Sequence, residues 1–266
     1  MTIRPTAVAG SFYPSQPSVL QSLLDKLLDD HSTVGKDILD VQSIKAIIVP
    51  HAGYIYSGAV AAKAYRLLKR LRQQIKRVVL LGPNHRVPLR GVALPSNEFF
   101  NTPLGNIPID THSVQLLAKR KGFAINDVAH AQEHSLEVHL PFLQTILNDF
   151  TLLPLVVGVI DPDTLVETLN EFWDDTNTFI IVSSDLSHFH PYRQACDIDR
   201  QTSDLIESKS WHLQGEQACG AYPLNGLLKL ADEKHLTVRT LDLCNSGDTA
   251  GDKDRVVGYG AYSVSL

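Results

Sequence analysis

The sequence predicts an α/β protein built on a central mixed or parallel sheet flanked by helices. Three observations lead there. Four short apolar runs recur along the chain, and each ends abruptly in polar residues or glycine. None of them alternates apolar with polar residues, as a strand with one wet face would; they read as strands buried on both sides. Between them lie stretches whose apolar residues repeat at helical spacing.

The elements follow in order. The first helix is expected over PSVLQSLLDKLLDD, from Pro17 to Asp30, where Val19, Leu20, Leu23, Leu24, Leu27 and Leu28 share one face and the charges fall opposite. The run Ala46-Ile47-Ile48-Val49 then leads into Pro50-His51-Ala52-Gly53. A second helix is expected over GAVAAKAYRLLKRLRQQ, with Ser57 as its N-cap. The second run, Val78-Val79-Leu80-Leu81, opens into Gly82-Pro83-Asn84-His85. A third, Leu153-Pro154-Leu155-Val156-Val157, stops at Gly158, and a helix after Asp161 has proline at its favoured first position. The fourth, Phe179-Ile180-Ile181-Val182, ends in Ser183-Ser184-Asp185-Leu186-Ser187-His188. Residues from Pro191 to about Ser210 carry many charges and suit a partly exposed helix, and the stretch from Val256 to Val264 is a last strand.

Bulk properties narrow the function classes. No repeat, low-complexity stretch or Pro/Gly/Ser-rich linker divides the 266 residues, so one domain over 1–266 is expected. Lysine and arginine number 24 against 29 acidic residues, a net charge of −5 that gives no electrostatic reason to expect nucleic acid or an anionic membrane. The start lacks a basic segment followed by an apolar run, and no stretch approaches the ~18–20 apolar residues that span a bilayer. Three cysteines without a C-x-x-C pair argue against a disulfide framework and a cysteine zinc site. A cytoplasmic location is the expectation.

Ligands of open α/β sheets bind at the carboxyl ends of the strands. Three predicted strands deliver His51, His85 and the Asp185/His188 pair to that edge. The tract EHSLEVHLPFLQ, from Glu133, is equally rich in ionisable groups. If it is helical, Glu133 and Glu137 share a face, as do His134 and Glu137, while His139 points elsewhere. Pro141 marks a helix start or kink, and the acidic residues also suit a helix N-terminus. The tract PHAGYIYSG has glycines that let backbone approach a ligand closely. It matches neither nucleotide phosphate-loop pattern, so no nucleotide cofactor is expected. No G-x-S-x-G elbow is present, and Cys219, in ACGAYP, reads as a buried inert thiol.

Taken together, AVAGSFYP, PHAGYIYSGAVAAKAY, GPNHR, TPLG, EHSLEVHLPFLQ, SSDLSHF, the Cys219-Gly220 pair and NSGDTAGDKDRVVGY resemble the Memo-like family in order and spacing, over essentially the whole chain. That family, named for a mediator of cell motility, is similar in fold to the class III extradiol dioxygenases (LigB-like), whose catalytic subunit carries non-haem Fe(II). The resemblance implies that His51 and His85 are metal ligands, that His188 transfers protons and that His134 stands near them. Asp185 would share the cleft and orient His188. Tyr54 and Glu137 would contact substrate. The bound cofactor would be Fe(II) or another divalent metal. In the animal protein a cysteine completes the metal site. Aligning on Leu241-Asp242 and the closing Val-Gly-Tyr segment puts Thr249 there, with Asp248 and Asp252 the nearest carboxylates, so the site would be incomplete or differently built.

Two functions from different classes follow. One is a metal-dependent, dioxygenase-like oxidoreductase, since two histidines with a carboxylate suit Fe(II) and leave positions open. The other is a protein that binds a metal, peptide or metabolite without turnover. As part of an AmmeMemoRadiSam set, it would act beside radical-SAM and AMMECR1-like partners.

Overall fold

The computed structural model describes residues 1–29 and 41–266. In chain order the elements are β1 (Ile3–Arg4), α1 (Pro17–Asp29), β2 (Ile44–Val49), α2 (Tyr54–Leu68), β3 (Arg77–Pro83), β4 (Val92–Leu94), β5 (Phe99–Thr102), β6 (Gly105–Pro108), α3 (Thr111–Leu117), β7 (Phe123–Ile125), α4 (Asp127–Ala131), α5 (Leu140–Ile146), β8 (Thr151–Val157), α6 (Pro162–Trp173), β9 (Thr178–Ser183), β10 (His188–His190), α7 (Tyr192–Glu207), α8 (Ala221–Glu233), β11 (Thr237–Asn245) and β12 (Val256–Ser265).

The four apolar runs are the centre of the main sheet. Its order is β10-β12-β2-β9-β3-β8-β4-β7, with β11 also paired to β12. Strands β2, β9, β3 and β8 are mutually parallel, whereas β12 and β4 join them antiparallel, so the sheet is mixed. Every residue of β9, and of β3 from Val78 onward, is buried. Successive residues face opposite sides, so helices must cover both faces. Helix α2 packs on β2 and β12 together with α1 and α5, α6 and α8 pack on β9 and α8 on β3, and α7 lies on β11 and β12. A small second sheet, β1-β5-β6, brings the N-terminal residues against the rest.

Helix α1 presents Leu20, Leu24 and Leu28 to the core, as its period requires; the expected last residue, Asp30, lies outside the described residues. Helix α6 begins at Pro162, with the Asp161 side chain accepting the Asp163 N–H. Helix α2 differs from expectation at both ends. It starts at Tyr54 with Gly53 as N-cap, because Phe12 O accepts the Tyr54 N–H and fixes the chain there. Ser57 is therefore buried inside the helix and donates to Ala52 O. The helix stops at Leu68 because the apolar repeat fails: Arg72, Gln73 and Gln74 are exposed and leave no face to bury.

Candidate metal centre

Four parallel strands end at one edge, in register: Val49 stands beside Ser183, Leu81 beside Val182 and Pro83 beside Val157. Two residues beyond β2 is His51, two beyond β3 is His85, and two beyond β9 is Asp185. The third histidine, His134, comes from the non-helical stretch before α5. That stretch lies directly on the end of β3 because Gly82 has no side chain; a Cβ there would stand 2.7 Å from Leu136 and 2.8 Å from Ser135 Oγ. The rings of His85 and His134 stack with centroids 4.7 Å apart, and the His51 ring meets them edge-on at 5.2 and 5.5 Å. One donor atom from each histidine lies within 4.8 Å of the others. Bonds of ~2 Å to a shared ion span separations of about 4 Å, so the cluster is of the right scale.

The supporting bonds set the ring orientations. Ser183 Oγ donates its one proton to Ser135 O at 2.6 Å. It is left to accept from His51 Nδ1 at 2.7 Å and His139 Nε2 at 2.9 Å. His51 Nδ1 thus carries a proton, and the Nε2 lone pair faces the cluster. Glu133 does the same for His85: Oε1 stands 2.9 Å from Nδ1 while Oε2 accepts the His85 N–H at 2.6 Å. Such partners raise ligand basicity and fix the tautomer. Burial raises the Glu133 carboxyl, but hydrogen bonds from His85 and the Ser135 N–H outweigh it and hold it down at about 2. Burial lowers His134 to about 4 and His139 to about 3, and drives His51 well below its ordinary value with help from its histidine neighbours. All three are neutral imidazoles near pH 7, the form that binds metal. Nδ1 of His134 is buried without a hydrogen-bond partner among the described residues, standing 3.3 Å from Glu133 Oε1 but misdirected.

A family model described as Memo-like protein matches residues 4–263. The chain belongs to the Memo-like family. A MEMO1 family protein of Methanosarcina mazei is 35% identical, over 99% of this chain and 100% of that one. Another, from Aquifex aeolicus, is 34% identical over 97% and 98%. The crystal structure of an uncharacterised Escherichia coli K12 protein superposes with a TM-score of 0.50 at 10% identity, over 82% of this chain and 99% of that one. At that identity it speaks for the fold alone.

In this Memo-like chain the expected residues fall into two groups. His51, His85 and His134 form the cluster, so His134, expected to stand near the ligands, is itself among the metal-ligand candidates. Asp185 is buried beside it, but its carboxylate turns to His51: Oδ1 accepts the His51 N–H at 2.7 Å and Oδ2 lies 4.0 Å from Nε2. Burial, partly opposed by that hydrogen bond, raises it to about 7. The expected orientation of His188 by Asp185 is not what the side chains do; half-buried His188 sits on β10 against the Leu186 carbonyl, within electrostatic reach of His85. Tyr54 is buried, its hydroxyl donating to Val138 O at 2.6 Å. Glu137 turns both oxygens away from the cluster, to Arg4, Tyr13 and the N–H groups of Ala7 and Val8. Glu133 and Glu137 share no helix face, because the chain becomes helical only from Glu137. Tyr54 and Glu137 are thus engaged by protein groups distant in sequence.

Thr249 stands at the position matched to the cysteine of the animal protein. It is exposed, its hydroxyl donating to Ser246 O. The sulfur beside the cluster is that of Cys219, 3.3 Å from His51 Nε2. Gly220 allows this, since a Cβ there would stand 2.6 Å from Ser183 O; the Cys219 turn therefore lies on the end of β9. Burial first, and Asp185 second, push the thiol up. This thiol comes from the segment before α8, not from the stretch before the closing strand. Cys219-Gly220 was the sequence signal that could have found it.

Proposed function

We propose that the protein is a transition-metal-dependent oxidoreductase of dioxygenase-like type, with Fe(II) held by His51, His85 and His134. One observation carries this reading. Three imidazoles converge within 4.8 Å, two with the far nitrogen already committed to Ser183 and Glu133, the third with a buried nitrogen that has no hydrogen-bond partner among the described residues. An orphaned donor set of this kind is what a bound cation satisfies. When bound, the ion supplies Lewis-acid and redox chemistry with positions left for other ligands. The protein's own groups do the rest. Ser183 and Glu133 hold the two rings, Asp185 holds the His51 backbone, and Cys219 closes the inner wall. His188, half-buried, is the group placed to accept or release a proton at the mouth.

The test is tag-free anaerobic purification with elemental analysis, beside the His51→Ala/His85→Ala variant. Near-stoichiometric iron in the parent, lost in the variant, is expected, followed by oxygen uptake on some member of a phenolic substrate panel. Saturation at 100 times Kd should add about 3 kcal/mol to the unfolding free energy. A parent chain that takes up no metal after loading with Fe(II), Zn(II) or copper sinks the reading.

A further inference from the structure

The N-terminal motif AVAGSFYP has no part in the metal chemistry above, yet the segment carrying it meets the chain beside all three histidines. Arg4 and Glu137 form an ion pair at 2.6 Å, and both are almost fully buried, 3% and 1% exposed. The guanidinium spends its other donors on the neighbouring chain: Nε on His130 O and Nη2 on Glu133 O, each at 2.8 Å. It thereby grips both sides of the turn that ends in Glu133 and His134. Glu137 is filled in return by the N–H groups of Ala7 and Val8 and by the Tyr13 hydroxyl at 2.6 Å. Between these anchors the Phe12 ring lies on His134, centroids 4.8 Å apart, and Phe12 O accepts the N–H of Tyr54, three residues after His51.

A buried ion pair of this sort adds little net stability over an apolar pair of the same volume. What a planar guanidinium fork does supply is direction, because its bonds fix several groups in one plane. Here those groups are the backbone of Glu133, whose carboxylate holds His85, and the chain next to His134. We propose that Arg4 and Glu137 are positioning residues of the metal centre, setting its affinity and geometry through Glu133 and His134, and that Arg4–Tyr13 is one wall of the site. This rests on the metal reading above.

The test is anaerobic Co(II) titration followed by visible absorption, on the whole chain. Arg4→Lys keeps the charge but loses the fork. It should bind Co(II) up to about 10-fold more weakly, the lower end of the effect of losing a group bonded to a metal ligand, with shifted absorption bands. Tyr13→Phe removes only one neutral donor from Glu137 and should weaken binding a few-fold; it carries the test if Arg4→Lys does not fold. Arg77→Met breaks an ion pair at the opposite end of the sheet and should lower Tm with affinity and bands unchanged. Parent-like affinity and bands in both Arg4→Lys and Tyr13→Phe, or equal weakening in Arg77→Met, would overturn the proposal while leaving the metal reading intact. A parent chain that binds no Co(II) removes both.

Discussion

The two ends of the central sheet handle charge in opposite ways. At the amino ends of the strands, Arg77 pairs with Asp110 at 2.7 Å and Asp175 at 3.1 Å, while Lys45 donates to Asp175 O. Asp175 is held low by the Asn177 N–H, Thr178 and Arg77. Burial raises Asp110, but Ser113 and Arg77 outweigh it and the net shift is down. Each charge there has an opposite partner and part of each side chain reaches water. At the carboxyl ends, Glu133 apart, the inventory is reversed. His51, His134 and His139 are kept neutral by burial and Asp185 is pushed up to about 7. The amino end is arranged for stability, whereas the carboxyl end holds polar groups in states that cost stability and suit ligand binding.

The largest test of this contrast is acid. A histidine depressed in the folded state contributes stability fully above its unfolded value of about 6.5, and that stability is lost as pH falls towards the folded value. His134 and His139, at about 4 and about 3, therefore each withdraw about 1.4 kcal/mol per pH unit below 6.5. Asp185 runs the other way: raised to about 7, it favours the folded state as pH falls through 7 towards its unfolded value, returning about as much as one histidine withdraws. Burial holds His130 at about 4 as well, so the net expectation, before His51 and His188 add to it, is a loss of about 7 kcal/mol between pH 6.5 and 4. The amino-end carboxylates, depressed when folded, begin to contribute only below about pH 4–5. Urea unfolding of the metal-free protein at half-unit pH steps measures the slope. His139→Gln, which keeps a donor for Ser183, should flatten it by about one proton; an unchanged slope would show that His139 does not titrate as described.

A smaller effect is expected at Ser183. Alanine there leaves His51 Nδ1, His139 Nε2 and Ser135 O without their shared partner, a cost of about 1–3 kcal/mol. Because His51 then loses the bond that fixes its tautomer, metal affinity should fall about 10-fold. Loss of stability with affinity retained would mean that the hydroxyl serves packing alone.

Much of this arrangement is legible in the sequence, for a physical reason. Doubly buried strands are near-continuous apolar runs, and their ends announce themselves as PHAG, GPNH and SSDLSH. That locates His51, His85, Asp185 and His188 at one edge. Strand β11 escapes the same reading because its residues are mostly half-buried, and β10 because it is three residues long. Long-range partners escape altogether. Nothing local links Arg4 to Glu137, 133 positions away, or Cys219 to His51, 168 away. Glu137 and Tyr54 looked free because a sequence shows the group and not what fills it. Spacing before β12 likewise says nothing of the Cys219 segment that folds over the strand ends.

The smallest predicted effect is at the amino end, and it sharpens the contrast by what it leaves untouched. Arg77 is about a third exposed and its pairs are screened, so Arg77→Met should cost about 1 kcal/mol or less. Asp110 keeps its bonds from the Ser113 N–H and hydroxyl and so continues to cap α3. The acid slope between pH 6.5 and 4 should match the parent, since no histidine of the metal centre touches this ion pair. Metal affinity should match as well, because β3 runs its full length between Arg77 and the turn that presents His85. If Arg77→Met instead lowered metal affinity, the two ends would be coupled through β3, and the division of labour between them would have to be given up.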